Sequence, residues 1–127
     1  MVERGFWTVV AAAGALAALP AFAEPMVIKE PDLSLVTSAL AEKMLDPEST
    51  RVSGVIGAPD ATEPTLVWAC GKVQGKNTFG GYAQPVPFIG SFVTNNVGEK
   101  LFLVVAISGP SNAEQLAVLN TCIERLK

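Results

Sequence analysis

Two segments of the chain carry apolar residues at helical spacing. In the first, from 33 to 45, Asp32 or Ser34 can cap the start, and Asp46-Pro47 ends the helix because proline disfavours helix in the residue before it. The apolar stripe of this segment consists of Leu33, Val36, Leu40 and Met44. The pattern predicts an amphipathic helix of about three turns, whose stripe packs in a core rather than against a partner.

The second helical segment runs from 112 to 126 and follows the strand-breaking pair Gly109-Pro110. Ser111 and Glu114 have the spacing of a capping box at its start. Its apolar stripe consists of Leu116, Leu119, Ile123 and Leu126, with Cys122 beside it. We expect this stripe, and with it Cys122, to face a sheet.

Four segments between the helices have the composition and alternation of β-strands. They are 50–57, 65–73, 82–94 and 100–108. In the second segment Cys70 shares a face with Trp68, whereas Ala69 and Val73 point to the other face. The fourth segment is apolar at consecutive positions, which predicts a central strand with both faces at least partly covered.

Pro85 and Pro87 bear on the position of the third strand. Their missing amide donors lie on one edge, so this part is either an edge strand or a bulged departure from the sheet. A simple meander would make the strand central, and the sequence leaves the strand order open. The order of elements, α-β-β-β-β-α, predicts an α+β domain with a four-stranded antiparallel sheet flanked by an N-terminal and a C-terminal helix.

The first 23 residues have the features of an export signal. Arg4 precedes an uncharged apolar run from 6 to 19, and Pro20 and an A-x-A cleavage site at 21–23 follow. The run is too short to span a bilayer comfortably, and a retained membrane helix is the alternative. We therefore expect an exported, periplasmic or secreted protein with no stable membrane span after signal cleavage. Its predicted parts are a signal peptide at 1–23, a flexible lead-in at 24–32 and a single domain at 33–127.

Cys70 and Cys122 are the two cysteines of the chain, and both follow the predicted cleavage site. An even cysteine count in an exported chain favours a disulfide, with two free thiols as the alternative. The bridge would close a loop of roughly 52 residues, for which the chain-entropy model gives about 4 kcal/mol of stabilisation.

Composition argues against several classes of function. The formal net charge is −3 with both signs scattered along the chain, whereas nucleic-acid binding needs a clustered basic face. The chain has no histidine, which removes His-based triads and most zinc, copper and haem sites. It also lacks the common nucleotide, Ca²⁺ and zinc motifs. We expect no cofactor and no metal.

Carboxylates, lysines and hydroxyls are the remaining catalytic groups. Asp46 with Glu48, and Asp60 with Glu63, are candidate acid pairs. Each pair lies in a proline-flanked polar loop, where a solvated surface is the simpler interpretation. The sequence therefore predicts that the protein is not an enzyme.

The stretch from Cys70 to Tyr82 is the densest in residues with special backbone or chemical properties. It offers cationic amines, an amide, aromatic faces, and glycines that let backbone amides approach a ligand. The candidate contact residues are Lys72, Lys76, Asn77, Phe79, Gly80, Gly81 and Tyr82. The simpler interpretation is a long hairpin whose glycines satisfy turn dihedrals and whose aromatics pack across strands.

Several of these residues also carry a family resemblance. The segments concerned are Asp46-Pro47-Glu48-Ser49, Cys70-Gly71-Lys72-Val73, Lys76-Asn77, Gly80-Gly81-Tyr82 and Pro87-Phe88. They resemble the signature of a group of small, uncharacterised exported proteobacterial proteins, in which a DP-x-S helix end precedes a CG-x-V-x-x-KN-x-x-GGY hairpin. The resemblance implies a bacterial envelope location and implies no activity or catalytic residue.

The leading functional hypothesis is a non-catalytic periplasmic or secreted binding or accessory module. Its glycine-rich hairpin, 74–82, is the predicted contact surface for a protein or glycan partner in the envelope. The alternatives are an inhibitor or immunity-type protein against a cell-envelope hydrolase, a small His-independent hydrolase or lyase, and a purely structural envelope protein. The enzyme alternative predicts a cleft that gathers Asp or Glu with Lys72 or Lys76.

Overall fold

The structure is a computed structural model that describes residues 24–127, so the predicted signal peptide lies outside the described residues. This part of the chain is α+β, with two helices, an antiparallel sheet and one disulfide, as the sequence predicts. The elements are β1 (Met26–Val27), α1 (Asp32–Ala41), a 3₁₀ turn (Pro47–Ser49), β2 (Arg51–Pro59), β3 (Val67–Gln74), β4 (Val86–Thr94), β5 (Lys100–Ile107) and α2 (Asn112–Arg125).

The sheet has five strands rather than the predicted four. The additional strand is β1, in which Met26 and Val27 pair with Gly57 and Ile56 of β2. The strand order is β1-β2-β3-β4-β5 and all neighbours are antiparallel, so the sheet is a simple meander. A two-residue strand carries no alternation that a sequence pattern could reveal.

The meander places β4 inside the sheet, so the edge-strand alternative for Pro85 and Pro87 was wrong. Both prolines lie at the start of β4, where they are compatible with a central position. Pro85 precedes the strand. Pro87 pairs with Lys72 of β3, and its carbonyl accepts a hydrogen bond from the Ser108 amide at 2.9 Å. The start of a strand is where a missing amide donor disturbs the ladder least.

The prediction that 100–108 is a central strand was wrong, because β5 forms the edge of the sheet. Its residues Leu101, Leu103 and Val105 are 40, 50 and 56 % exposed. The helix α2 packs over β4 and β3. A helix is about 10 Å wide, so one helix does not cover five strands about 4.8 Å apart.

Helix α1 covers one face of the sheet and forms the larger core cluster. Val36 and Leu40 are fully buried there, and Leu33 and Met44 pack against the same cluster, which confirms the predicted stripe. Phe88, Phe92 and Phe102 supply the aromatic part of this cluster.

The start of α1 differs from the prediction, since neither predicted cap forms. No side chain of Asp32 or Ser34 caps the helix. Instead Glu30 Oε1 accepts a hydrogen bond from the Ser34 amide at 3.0 Å. The carboxylate of Glu30 thus satisfies one of the free amides of the first turn.

Helix α2 lies on the opposite face and is linked to β3 by the Cys70–Cys122 disulfide, which confirms the predicted pairing. The bridge indicates an oxidising environment. Ser111 Oγ accepts a hydrogen bond from the Glu114 amide at 3.1 Å, so the predicted cap is present. No helix in the described part of the chain is long and apolar enough to cross a membrane.

The rotation of α2 about its axis differs from the prediction. Val118, Cys122 and Leu126 are buried. Leu126 was part of the predicted stripe, but its other three members are turned to the side, since Leu116, Leu119 and Ile123 are 57, 41 and 62 % exposed. Because the disulfide directs Cys122 at β3, the residues four positions before and after it are the ones that face the sheet.

Candidate functional site

The connection between β3 and β4 ends in a turn at 77–81, here called the Phe79 turn, whose backbone is fixed by hydrogen bonds. The Asn77 amide donates to the Gly81 carbonyl at 2.8 Å, and the Gly80 amide donates to the Asn77 carbonyl at 3.0 Å. Asn77 Oδ1 accepts from the amides of Phe79 at 2.9 Å and Gly81 at 3.2 Å. Gly80 has a φ of +84°, which side chains rarely adopt. Asn77 and Gly80 therefore build the turn.

The connection between β4 and β5 repeats this turn at 95–99, here called the Val97 turn, at the opposite end of the sheet. Asn95 Oδ1 accepts from the amides of Val97 at 3.0 Å and Glu99 at 2.9 Å. Gly98 has a φ of +85° and occupies the position in this turn that Gly80 occupies in the Phe79 turn. Because the same turn forms around Val97, the turn geometry does not account for an aromatic residue at position 79.

Phe79 is 95 % exposed. Its ring is therefore not packed across the hairpin, as the simpler interpretation of the sequence expected. Burial is what makes an aromatic side chain stabilising, and a ring in water contributes none of that free energy. Phe79 is a large apolar group presented to the solvent at the tip of a turn with a fixed backbone.

Tyr82, the other aromatic of the hairpin, is engaged within the molecule. The guanidinium carbon of Arg51 lies 3.7 Å from the centroid of its ring, and Lys76 Nζ lies 5.8 Å from it. Lys76 and Tyr82 also pair as an isolated antiparallel bridge below the turn. Sequence reasoning missed Arg51 because its contact depends on the register of β2 against β3, where Arg51 lies opposite Gln74.

The base of the hairpin is anchored to the 3₁₀ turn that precedes β2. Ser49 is buried, and its Oγ accepts a hydrogen bond from the Lys76 amide at 2.8 Å. The same hydroxyl donates to the Asp46 carbonyl at 2.7 Å. The segments Asp46-Pro47-Glu48-Ser49 and Lys76-Asn77 are thus in direct contact. Sequence reasoning gave Ser49 no role, because this contact joins residues 27 positions apart.

An open cavity of about 690 Å³ lies beside the base of the hairpin. It is bordered by the end of α1, the hairpin and the start of α2, with Lys43, Lys76 and Asn112 among its lining residues. Among the described residues, no Asp or Glu lines this cavity. The hairpin base therefore has a cationic border.

Lys72 lies apart from the other candidate contact residues. It lines a groove of about 560 Å³ on the α2 side of the sheet, together with Leu119, Ile123 and Lys127. No Asp or Glu side chain of the described chain lines that groove either. The structure thus groups 76–82 at the hairpin and separates Lys72 from it.

The candidate acid residue Asp60 has a structural role. Its Oδ1 accepts a hydrogen bond from Trp68 Nε1 at 2.8 Å, and its Oδ2 accepts from the amides of Thr62 and Glu63, both at 3.0 Å. These hydrogen bonds favour the ionised form and hold the pKa of Asp60 well below its ordinary value. The bond from Trp68 has the largest effect. The carboxylate fastens the loop before β3 to the side of Trp68.

The other candidate acids, Glu63, Asp46 and Glu48, lie in two separate connecting segments. Glu63 Oε1 accepts a hydrogen bond from the Thr65 hydroxyl at 2.9 Å. Asp46 is the N-cap residue of the 3₁₀ turn, and Glu48 lies within that turn. Within residues 24–127, no group of three or more Cys, His, Asp or Glu side chains is placed to hold a metal ion.

Comparisons with protein-family models, with curated proteins and with solved structures gave no match for this chain. The functional interpretation therefore depends on the geometry of the site itself.

Proposed function

We propose that this protein is a non-catalytic binding or accessory module of the bacterial cell envelope, and that the Phe79 turn is its contact surface. The observation that carries the proposal is the 95 % exposure of Phe79 on a turn held by its own hydrogen bonds. Aromatic side chains are enriched where protein surfaces bind, because a ring offers a large apolar area with few rotatable bonds.

The anchoring of the hairpin supports this role. Ser49 holds the backbone at Lys76, and Arg51 packs on Tyr82. A contact residue on a pre-ordered backbone loses less conformational entropy on binding than one on a flexible loop, so more of the contact free energy appears as affinity. The signature residues around the hairpin thus order the turn that presents Phe79.

The chemistry of the turn favours a protein partner over a glycan. The face of Tyr82 that Arg51 covers is occupied, so it is not free to stack on a sugar. Phe79 has no polar atom with which to orient a hydroxyl-rich ligand. Lys43 and Lys76 border the neighbouring cavity, which favours an apolar pocket with an acidic rim on the partner.

Affinity capture with a matched control tests the proposal. Tagged wild type, Phe79→Ala and Val97→Ala are expressed as complete chains, and the proteins that each recovers from the cell envelope are quantified by mass spectrometry. We expect wild type and Val97→Ala to recover a protein that Phe79→Ala loses. Equal recovery by all three would refute the turn as the contact. Sedimentation with purified peptidoglycan is the parallel assay for a glycan.

Inhibition of an envelope hydrolase is a special case of the same proposal. It would be identified if the recovered protein is a hydrolase whose activity falls in the presence of wild type and not of Phe79→Ala. The hydrolase or lyase alternative stays a prediction, and no contact described above favours it.

A further inference from the structure

The sheet ends in two unlike edges. At one edge β1 has two residues, a length that protects an edge from pairing with other chains. At the other edge β5 has eight residues, and no strand of the described chain pairs with its outer side. From Leu101 to Ile107 it contains neither a charged residue nor a proline, so it lacks the side chains that usually protect an edge.

The backbone of β5 presents hydrogen-bonding groups to this free edge. The Asn95 amide donates to the Glu99 carbonyl, so this pair is hydrogen-bonded, and hydrogen-bonded pairs alternate from there along the ladder. By this alternation Leu101 and Leu103 direct their backbone groups toward β4. The residues between them direct N–H and C=O outward; they are Lys100, Phe102 and Val104.

The side chains next to the edge are apolar and uncovered. Leu103 lies opposite Ser91 in the ladder. Ser91 is two residues from Ile89, which is buried in the same core cluster as Val118 and Cys122 of α2. Leu101 and Leu103 therefore point to the α2 side of the sheet. They are 40 and 50 % exposed there, since α2 packs over β4 and β3.

We infer that two copies of this chain pair through their β5 strands, antiparallel, about a twofold axis at Phe102. Each Phe102 then exchanges both backbone hydrogen bonds with Phe102 of the partner subunit, and Lys100 does so with Val104 of the partner subunit. Leu101 lies directly opposite Leu103 of the partner subunit, where apolar side chains make their closest cross-strand contact. A twofold axis is what makes one strand complementary to its own copy.

A bulge in β5 limits how many of its residues can pair with a second copy. The ladder between β4 and β5 shifts register after Gly90 and Val104, which adds Val105 as an extra residue. Pairing from Lys100 to Val104 therefore uses only the regular part of β5. The two Lys100 residues would lie about 13 Å apart along the strands, beyond the Debye length of about 10 Å, and each is paired with its own Asp32 at 3.2 Å.

A single strand pair is a small interface, so we expect a dimer whose population rises with concentration. Sedimentation velocity on protein purified from cells that express the complete chain measures it. Leu103→Lys should abolish the dimer, because it places a charge against Leu101 of the partner subunit. Leu116→Lys, the same substitution at an exposed leucine of α2, should leave it intact. A monomer up to millimolar concentration, or equal effects of the two variants, would overturn the proposal.

The register is tested by mixing, under oxidising conditions, two variants that each add one cysteine to the disulfide-bonded pair Cys70–Cys122. Leu101→Cys and Leu103→Cys lie directly opposite each other in the proposed pairing, so the mixture should form a covalent heterodimer. Each variant alone places its new cysteines on the diagonal, about 7–8 Å apart, which is too far for a disulfide. Covalent dimers from either variant alone, or none from the mixture, would contradict the twofold axis at Phe102. Failure here leaves the Phe79 proposal untouched, because the two surfaces share no residue.

Discussion

The buried hydroxyl of Ser49 accepts a hydrogen bond from the backbone amide of Lys76 at 2.8 Å. This contact links the 3₁₀ turn after α1 to the hairpin that carries Phe79. Because Ser49 Oγ also donates to the Asp46 carbonyl, the hydroxyl is fixed in the orientation that accepts from Lys76. Ser49, which is 27 positions from Lys76 in the sequence, thereby helps to fix the position of the Phe79 turn.

Ser49→Ala should destabilise the protein by about 1–3 kcal/mol, because it leaves a partly buried amide without an acceptor. Urea unfolding measures the loss, and hydrogen exchange should show faster exchange of the Lys76 amide. Ser53→Ala is the control, since Ser53 is exposed on β2 and should change stability by less than about 0.5 kcal/mol. Equal effects of both variants would show that Ser49 does not anchor the hairpin.

Gly80→Ala should destabilise the Phe79 turn by about 1 kcal/mol or more, because alanine is strained at a φ of +84°. Gly81→Ala is a close control: a Cβ there meets no atom within 4 Å and its φ is not positive. Chemical denaturation of the two variants gives the comparison. If Gly81→Ala costs as much as Gly80→Ala, the assigned turn conformation is wrong.

The disulfide should be a major contributor to stability. Replacing both Cys70 and Cys122 by alanine removes a link between residues 52 positions apart, which the chain-entropy model values at about 4 kcal/mol. Guanidinium unfolding measures this, and the unreduced protein should have a mass two hydrogens below that of the dithiol form. A reductant should destabilise wild type and leave the double variant unchanged. Two alkylatable thiols in protein from an oxidising compartment would contradict the bridge.

Asp60 should make stability depend on pH in the acid range. Its folded pKa lies below that of the unfolded chain, about 3.9, so the stability it contributes is present above that pH and is lost as the pH falls further. The difference in unfolding free energy between wild type and Asp60→Asn should therefore be constant near neutrality and shrink below about pH 4. Urea unfolding followed by Trp68 fluorescence measures it. A difference that persists unchanged into acid would show that the ionised carboxylate is not what holds Trp68.

The elements with a clear apolar stripe could be predicted from sequence, and so could the face that Cys70 shares with Trp68. The packing of Val36 and Leu40 followed from helical spacing alone. The rotation of α2 about its axis could not be predicted in this way. Val118 and Leu119 lie on adjacent sides of the helix, and the disulfide at Cys122 determines which of these sides faces the sheet.

The errors at the edges of the sheet have a related cause. The apolar pattern of β5 shows that its side chains are hydrophobic. It does not show whether another element of the chain covers them. Similarly, the composition of the hairpin could not separate Asn77 and Gly80, which build the turn, from Phe79, which the turn presents. The second turn makes this distinction, because Asn95 and Gly98 form the same geometry around Val97, without an aromatic residue.

Site-specific photo-crosslinking shows whether position 79 itself contacts a partner. A photoreactive benzoylphenylalanine replaces Phe79 in one variant and Val97 in another, and both are irradiated in living cells. The two positions occupy equivalent places in the same kind of turn, at opposite ends of the sheet. If Phe79 is the contact, position 79 gives a discrete crosslinked product that position 97 lacks. No product at 79, or the same products at both positions, would refute Phe79 as the contact residue.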